Sequence, residues 1–209
     1  MGYQSHHEHS CTSGTNLQAL IDAQNTPALP DAQIVLVLSN RKAAYGLTRA
    51  ETANPPIPTR NLALQPYLKV APDRTRTTYD VEVARIVLEA RPDIVVLAGW
   101  MHVLGEGFFD AIGGSVPVIN LHPALPGAFD GTHAIERSFE AFQKGEVDTV
   151  GAMVHRVVKE VDRGEPVVVR VVEIKKDEPL VVYEGRLHRA EWEIIVEGTR
   201  KVLDEVRAI

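Results

Sequence analysis

Two short runs, Ile34-Val35-Leu36-Val37-Leu38 and Ile94-Val95-Val96-Leu97-Ala98, are apolar at every position. Without polar alternation, both predict strands covered on both faces, as in a parallel sheet packed between helices. Between them Tyr79, Val83, Ile86 and Ala90 recur at spacings of four, three and four, which predicts an amphipathic helix ended by Pro92. A second helix is predicted through Ile135, Phe139 and Phe142, stopping at Gly145, and a closing helix carries Trp192, Ile195, Val202 and Val206. Further strands are expected at residues 116–119, 150–158 and 167–172, and residues 53–75, rich in Pro and polar side chains, read as a long surface loop. The pattern is α/β, with helices on both faces of a mainly parallel sheet and ligands expected at the carboxyl ends of its strands.

Composition narrows the partners. The chain has 209 residues, 44% of them apolar and 24% charged, enough to bury a full core. A net charge of −6 argues against a nucleic-acid-binding surface, although it leaves room for one local phosphate pocket. A single cysteine, Cys11, excludes an internal disulfide framework and fits a reducing compartment. The longest apolar stretch, residues 94–101, is far short of the roughly 20 residues needed to span a bilayer. No N-terminal stretch shows the basic-then-apolar order of a secretory signal. These features predict a cytoplasmic protein acting on small molecules, with neither nucleic acid nor membrane as partner.

Two segments carry chemistry. Residues 116–119 lead into Asn120-Leu121-His122-Pro123, and on an extended backbone Asn120 and His122 share one face. Some forty residues on, Glu160-Val161-Asp162-Arg163-Gly164 offers a carboxylate. An amide, an imidazole and an acid together suit transfer of an acyl-type carbon, because amide and charged imidazole stabilise an oxyanion while the acid orients the ring or relays protons. No nucleophilic Ser or Cys stands beside them. The plain alternative is an Asn and a His that close a strand and satisfy loop hydrogen bonds. The other segment, Thr12-Ser13-Gly14-Thr15-Asn16-Leu17-Gln18, opens a helix with small and hydroxyl residues, where N–H groups and the helix dipole can hold a phosphate; an ordinary N-cap is the competing reading. It matches no nucleotide-loop fingerprint, and no nucleophile-elbow motif is present.

Taken in order, Ser-Gly-Thr-Asn-Leu-Gln at 13–18, Leu-Ala-Gly-Trp-Met at 97–101, Asn-Leu-His-Pro-Ala-Leu-Pro at 120–126 and Glu-Val-Asp-Arg-Gly-Glu-Pro at 160–166 resemble the phosphoribosylglycinamide formyltransferases of de novo purine synthesis. The resemblance implies a Rossmann-like formyltransferase fold, 10-formyltetrahydrofolate as co-substrate without a metal, and a substrate amine as nucleophile. It implies that Asn120, His122 and Asp162 are catalytic. Gly14, Thr15 and Asn16 would take the substrate phosphate, and His188 with Glu191 the ribose and glycinamide parts. The folate would lie against Met101, His102, Val103, Leu104, Arg76 and the loop Val158-Lys159-Glu160-Val161-Asp162, with Arg76 facing its glutamate carboxylate. Core packing is the competing role for Met101 and Leu104. His155 also matches a family position near the formyl group.

Two departures stand out. The family has an apolar first strand, in the middle of the sheet, before the Gly-rich turn, whereas Met1 to Cys11 contains no Val, Ile or Leu. The expectation is a missing or altered first strand, an atypical, poorly ordered segment 1–12 and a single formyltransferase domain over 13–209. Either that segment is mis-specified or the phosphate loop is damaged. Ala128 stands where the family often has a basic residue. His6, His7, His9 and Cys11 could be read as metal ligands, but clustered His in a polar terminus is usually disordered. Methionyl-tRNA formyltransferase and formyltetrahydrofolate hydrolase share the chemistry, but each usually carries a further domain that this length does not accommodate. An inactive folate- or nucleotide-binding relic of the same fold is the non-enzymatic alternative.

Overall fold

The computed structural model describes residues 13–114, 116–159 and 161–208. The expectations for residues 1–12, including the altered strand and the His/Cys cluster, lie outside the described residues, as does Glu160. Helix α1 (Thr15–Ala23) opens the described chain, followed by β1 (Val37–Ser39), α2 (Tyr45–Thr52) and β2 (Thr59–Asn61). Next come α3 (Leu64–Leu68), α4 (Arg76–Glu89), β3 (Val95–Leu97), α5 (Glu106–Ile112) and β4 (Val118–His122). The chain continues through α6 (Ala134–Lys144), β5 (Val150–Arg156) and β6 (Pro166–Val172) to α7 (Leu180–Arg207).

Strands β1 and β2 form one parallel pair, and β3-β4-β5-β6 a second sheet. In that sheet β4 runs parallel to β3, while β5 and β6 follow antiparallel, which makes the whole mixed. Helix α7 covers the second sheet, burying Tyr183, Leu187, Ile194 and Val202 against Ile119, Val150 and Val154. Gly198 lets the helix approach closely, since a Cβ there would come within 2.7 Å of Val154. On the other side Tyr79, Val83 and Val87 of α4 pack with Phe108 and Ile112 of α5 and Val118 of β4.

The periodic helices appear where the pattern placed them. Thr75 caps α4 reciprocally with Thr78, and Gly145 ends α6 at φ 75°. Trp192 departs from the expected apolar stripe of α7: it is 37% exposed, and the buried stripe runs through Leu187, Ile194, Ile195 and Gly198 instead. Residues 53–75 are not all loop. Thr59–Asn61 pair with Val37–Ser39, and α3 anchors Tyr67 edge-on to Tyr79. Three polar residues on a sheet edge and a five-residue helix carry no periodicity, so backbone pairing and one aromatic anchor decide them.

Among the described residues no strand joins β1 to β3. Among those residues Leu17 and Leu20 of α1 and both apolar runs line one cavity of about 340 Å³. Those runs, expected to be fully covered, are only partly so: residues 94–98 are half-buried and Val35 is 40% exposed.

Candidate active site

Strand β4 carries Asn120 and His122 two residues apart on one face, at its carboxyl end. Register sets Asn120 beside Leu97 of β3 and opposite His155 of β5. The β5–β6 connection, closed at its base by the hydrogen bond from Arg156 N–H to the Glu165 carbonyl, returns Asp162 over the same place. Asp162 adopts φ 55°, a left-handed conformation that Asp tolerates better than most residues. Gly164 is required there, because a Cβ would overlap the Arg156 carbonyl.

These elements bring four side chains together. Asp162 Oδ2 lies 3.5 Å from His122 Nδ1, and its Oδ1 lies 3.5 Å from His155 Nε2. The Gly131 N–H donates to Asp162 Oδ2 at 2.9 Å, and Asn120 Nδ2 sits 3.3 Å from His155 Nε2. His155 Nδ1 faces the Arg156 carbonyl at 2.8 Å; a carbonyl only accepts, so Nδ1 carries the proton. His155 Nε2 then accepts from Asn120 when the ring is neutral and donates toward Asp162 when it is charged. His122 Nε2 is buried and has no protein partner, a polar atom left for a ligand.

Electrostatics assign the resting charges. Burial lowers the His122 pKa from its ordinary value, with Asp162 opposing, which favours the neutral ring at rest. For Asp162 burial acts upward, but the hydrogen bonds with His155 and the Gly131 N–H outweigh it and hold the carboxyl below its usual value. The site at rest is a carboxylate beside a neutral imidazole.

The predicted phosphate segment begins α1. Gly14 is its N-cap at φ 67°, and a Cβ there would come within 3.0 Å of Gly46 Cα, so glycine is needed. Arg49 Nε donates to the Ser13 carbonyl at 2.8 Å, steadying the approach to Thr15 and Asn16. Asn16 hydrogen-bonds Glu191 of α7, which is 5% exposed; burial pushes the Glu191 carboxyl up to about 7, with Asn16 opposing. Asn16 Oδ1 is buried without a protein partner. His188, one turn earlier on α7, is half-buried, and burial lowers its pKa. The predicted phosphate and ribose contacts thus meet where α1 touches α7.

The predicted folate residues lie on two loops that meet beside α5. Residues 101–104 follow β3, the neighbour of β4, while Val158, Lys159 and Val161 belong to the β5–β6 connection. Lys159 reaches Glu106 at 3.5 Å and Asp110 at 3.8 Å on α5, drawing the two loops toward each other. Met101 and Val103 are 49% and 50% exposed and Val158 and Val161 are also exposed, while Leu104 is buried in the core, so packing and ligand roles divide between residues. Arg76 NH2 donates to the Val103 carbonyl at 2.8 Å; a guanidinium has five N–H donors, and the tie leaves others for a carboxylate.

Sequence reasoning missed the 127–133 loop. Arg163 pairs with Asp130 at 2.6 Å, Arg137 donates to the Phe129 and Asp130 carbonyls at 2.6 and 2.7 Å, and the loop delivers the Gly131 N–H to Asp162. Its signals were Pro126-Gly127 and Asp130-Gly131, turn dipeptides with both glycines at positive φ. Ala128, whose side chain departs from the family pattern, contributes its backbone as a hydrogen-bond partner of His122. The cavity lined by both apolar runs has none of Asn120, His122, His155 and Asp162 in its wall, but Gly14, Met101 and Leu104 line it.

Comparison with known proteins fits this arrangement. The formyl transferase family pattern matches residues 10–199. The chain is 48% identical over 205 residues to phosphoribosylglycinamide formyltransferase of Saccharomyces cerevisiae, covering 93% of this chain and 94% of that protein. It is 45% identical to the Schizosaccharomyces pombe enzyme of the same name over 196 residues, 92% of this chain and 94% of the other. The crystal structure of phosphoribosylglycinamide formyltransferase from Bacillus halodurans superposes with a TM-score of 0.78 at 28% identity, over 92% of each chain. The chain belongs to the formyl transferase family, among the phosphoribosylglycinamide formyltransferases.

Proposed function

We propose that this protein transfers the formyl group of 10-formyltetrahydrofolate to the amine of phosphoribosylglycinamide, in de novo purine synthesis. The observation that carries the reading is the convergence of Asn120, His122, His155 and Asp162 where β4 pairs with β5, with His122 Nε2 buried and unpartnered. The substrate amine attacks the formyl carbon, so a new C–N bond forms, the carbonyl oxygen becomes an oxyanion and the nitrogen becomes cationic. Asn120 donates to the oxyanion, an interaction of a kind worth roughly 3–4 kcal/mol. His122, neutral at rest, accepts a proton from the cationic nitrogen, and Asp162 stabilises the imidazolium. The proton then goes to the folate nitrogen as its bond to the formyl carbon breaks. Every proton-transfer role is filled by a side chain, so the reaction is read as metal-independent.

Gly14, Thr15 and Asn16 would hold the phosphate at the start of α1, with His188 and Glu191 near the ribose and glycinamide. Met101, His102, Val103, Leu104, Arg76 and the 158–161 loop would receive the folate, whose flat ring suits the exposed apolar side chains and backbone amides there. Residues 13–209 are read as one catalytic domain, and the small-molecule substrates, the net charge of −6 and the single cysteine support a cytoplasmic enzyme. The test is a formyl-transfer assay with both substrates, following release of tetrahydrofolate; no transfer by folded protein refutes the proposal. The lack of Val, Ile or Leu in residues 1–11 favours one second reading, a folate-binding relic with a weakened phosphate loop. Thermal shifts separate them: an enzyme responds to both substrates, a relic to the folate alone or to neither.

A further inference from the structure

A buried carboxylate with no part in the chemistry above sits behind the folate loop. Asp80, on α4, is 1% exposed. Its Oδ1 accepts from His102 Nε2 at 2.7 Å, and its Oδ2 accepts from the Gly105 N–H at 3.0 Å. Arg76, one helical turn earlier on the same face, holds the Val103 carbonyl. Helix and loop therefore touch at positions 102, 103 and 105 through polar ties. The approach leaves no room for side chains between them: a Cβ at Gly105 would lie 2.8 Å from Asp80 Oδ2, and one at Gly107 would lie 2.6 Å from the Thr77 carbonyl. The His102 ring is further fixed edge-on between Tyr79 and Trp100, at centroid distances of 5.2 and 6.4 Å. With His102 turned inward, the loop shows outward the half-exposed side chains of Met101 and Val103 and the intervening peptide groups.

A carboxylate withdrawn from water is costly, and apolar packing would stabilise the fold as well or better. What the carboxylate adds is direction: two oxygens, each engaged by a different part of one short loop, fix that loop's backbone in a way that packing alone does not. We propose that Asp80 is a positioning residue for the formyl donor, acting through His102 and the Gly105 N–H to hold residues 101–105 in the conformation that receives the folate. The claim rests on the reading of residues 101–104 as the folate side of the site.

Its test uses the full chain with Asp80→Ala, Asp80→Asn, His102→Ala and the double variant Asp80→Ala/His102→Ala. Steady-state kinetics with each substrate varied are paired with equilibrium binding of a folate analogue and with melting temperature. The expected result for Asp80→Ala is a KM for 10-formyltetrahydrofolate raised about tenfold or more, with kcat and the KM for the ribonucleotide within about twofold of wild type. Asp80→Asn keeps an oxygen for one tie and falls between, which preserves the test if the alanine variant does not fold. The double variant is no worse than Asp80→Ala, because both changes cut the same link. A lowered melting temperature with unchanged folate KM and affinity overturns the proposal, as does an equal rise in both KM values or full additivity of the two alanine changes. Wild-type protein that fails to bind the folate analogue removes the site reading and this claim with it; wild-type binding that Asp80→Ala and Asp80→Asn leave intact removes this claim alone.

Discussion

Replacing residues 5–11 with an uncharged strand rich in Val and Ile should stabilise this protein substantially. The segment as it stands, Ser-His-His-Glu-His-Ser-Cys, offers no aliphatic side chain. The reason for expecting a gain is that this segment leads into Gly14 beside the two most apolar runs of the chain, residues 34–38 and 94–98, which with Leu17 and Leu20 line one cavity among the described residues. The strand pairs that carry those runs, β1–β2 and β3–β4, are both parallel.

Burying about five aliphatic side chains contributes ~8–15 kcal/mol. Ordering five residues, backbone and side chain together, costs a similar ~8–15 kcal/mol. These offset one another, and the balance is set by backbone pairing of the new strand, at ~0.5–1.5 kcal/mol per hydrogen bond over roughly six bonds. A net gain of about 5 kcal/mol corresponds to a melting temperature higher by roughly 10–20 °C for a chain of this size. Calorimetry on the two proteins measures it, beside a third bearing a polar replacement of equal length. Ribonucleotide affinity should improve more than folate affinity, because Gly14, Thr15 and Asn16 follow directly from the strand position while residues 101–104 hang from β3. Melting temperatures within about 2 °C of each other would refute the reasoning, since a newly paired strand is worth more than that.

His122→Ala and Asp162→Asn should each lower turnover by at least ~10²-fold with folding intact, measured by kcat on monodisperse protein. Because burial already lowers the His122 pKa and Asp162 opposes that, Asp162→Asn should also move the acidic limb of kcat/KM to lower pH; an unmoved or raised limb would show that His122 does not set it. Arg76→Ala should weaken folate binding more than ribonucleotide binding in parallel titrations, and equal weakening counts against its placement. Glu191, raised to about 7 from 4.5, takes up a proton on folding, so its stabilising effect is complete below about pH 4.5 and is lost as pH rises through about 7. Glu191→Gln should therefore unfold at higher urea than wild type near pH 8, by up to ~3 kcal/mol, and show little difference near pH 4.5. Overnight chelation should leave formyl transfer unchanged, and activity lost and then restored by zinc would bring the N-terminal histidines back into consideration.

Much of the framework was legible because it rests on local periodicity. Tyr79 and Val83 recur every four residues and are buried in α4, and Gly145 stops α6 in a left-handed conformation. What escaped lacks such a signal. Helix α2 (Tyr45–Thr52) buries only Ala50, and α5 spans seven residues across two packed phenylalanines, too short for a period to show. Trp192 misled because an aromatic residue three positions before Ile195 fits a helical period without having to be buried. The buried stripe passes to either side of it, through Leu187, Glu191, Ile194 and Ile195, and one of those is a carboxylic acid that an apolar pattern does not pick out.

The site divides along the same line. Asn120 and His122 could be paired from sequence because an extended strand puts alternate residues on one face, and β4 does so. An acid from residues 160–164 could be set beside them by chemistry, but only the resemblance singled out Asp162, because forty residues of intervening chain impose no distance; what brings it there is the β4–β5 register, Asn120 opposite His155, and a connection pinned at Arg156 and Glu165. The Gly131 N–H and the Asp80 carboxylate were harder still. A backbone donor has no residue identity to search for, and Asp80 reads in sequence as a polar residue on an otherwise exposed helix turn. Its burial becomes visible only when Gly105 and Gly107 are seen to admit α4 against the loop. Residues that react are therefore found by type and spacing, whereas residues that aim them are found by asking where each buried polar atom sends its hydrogen bonds.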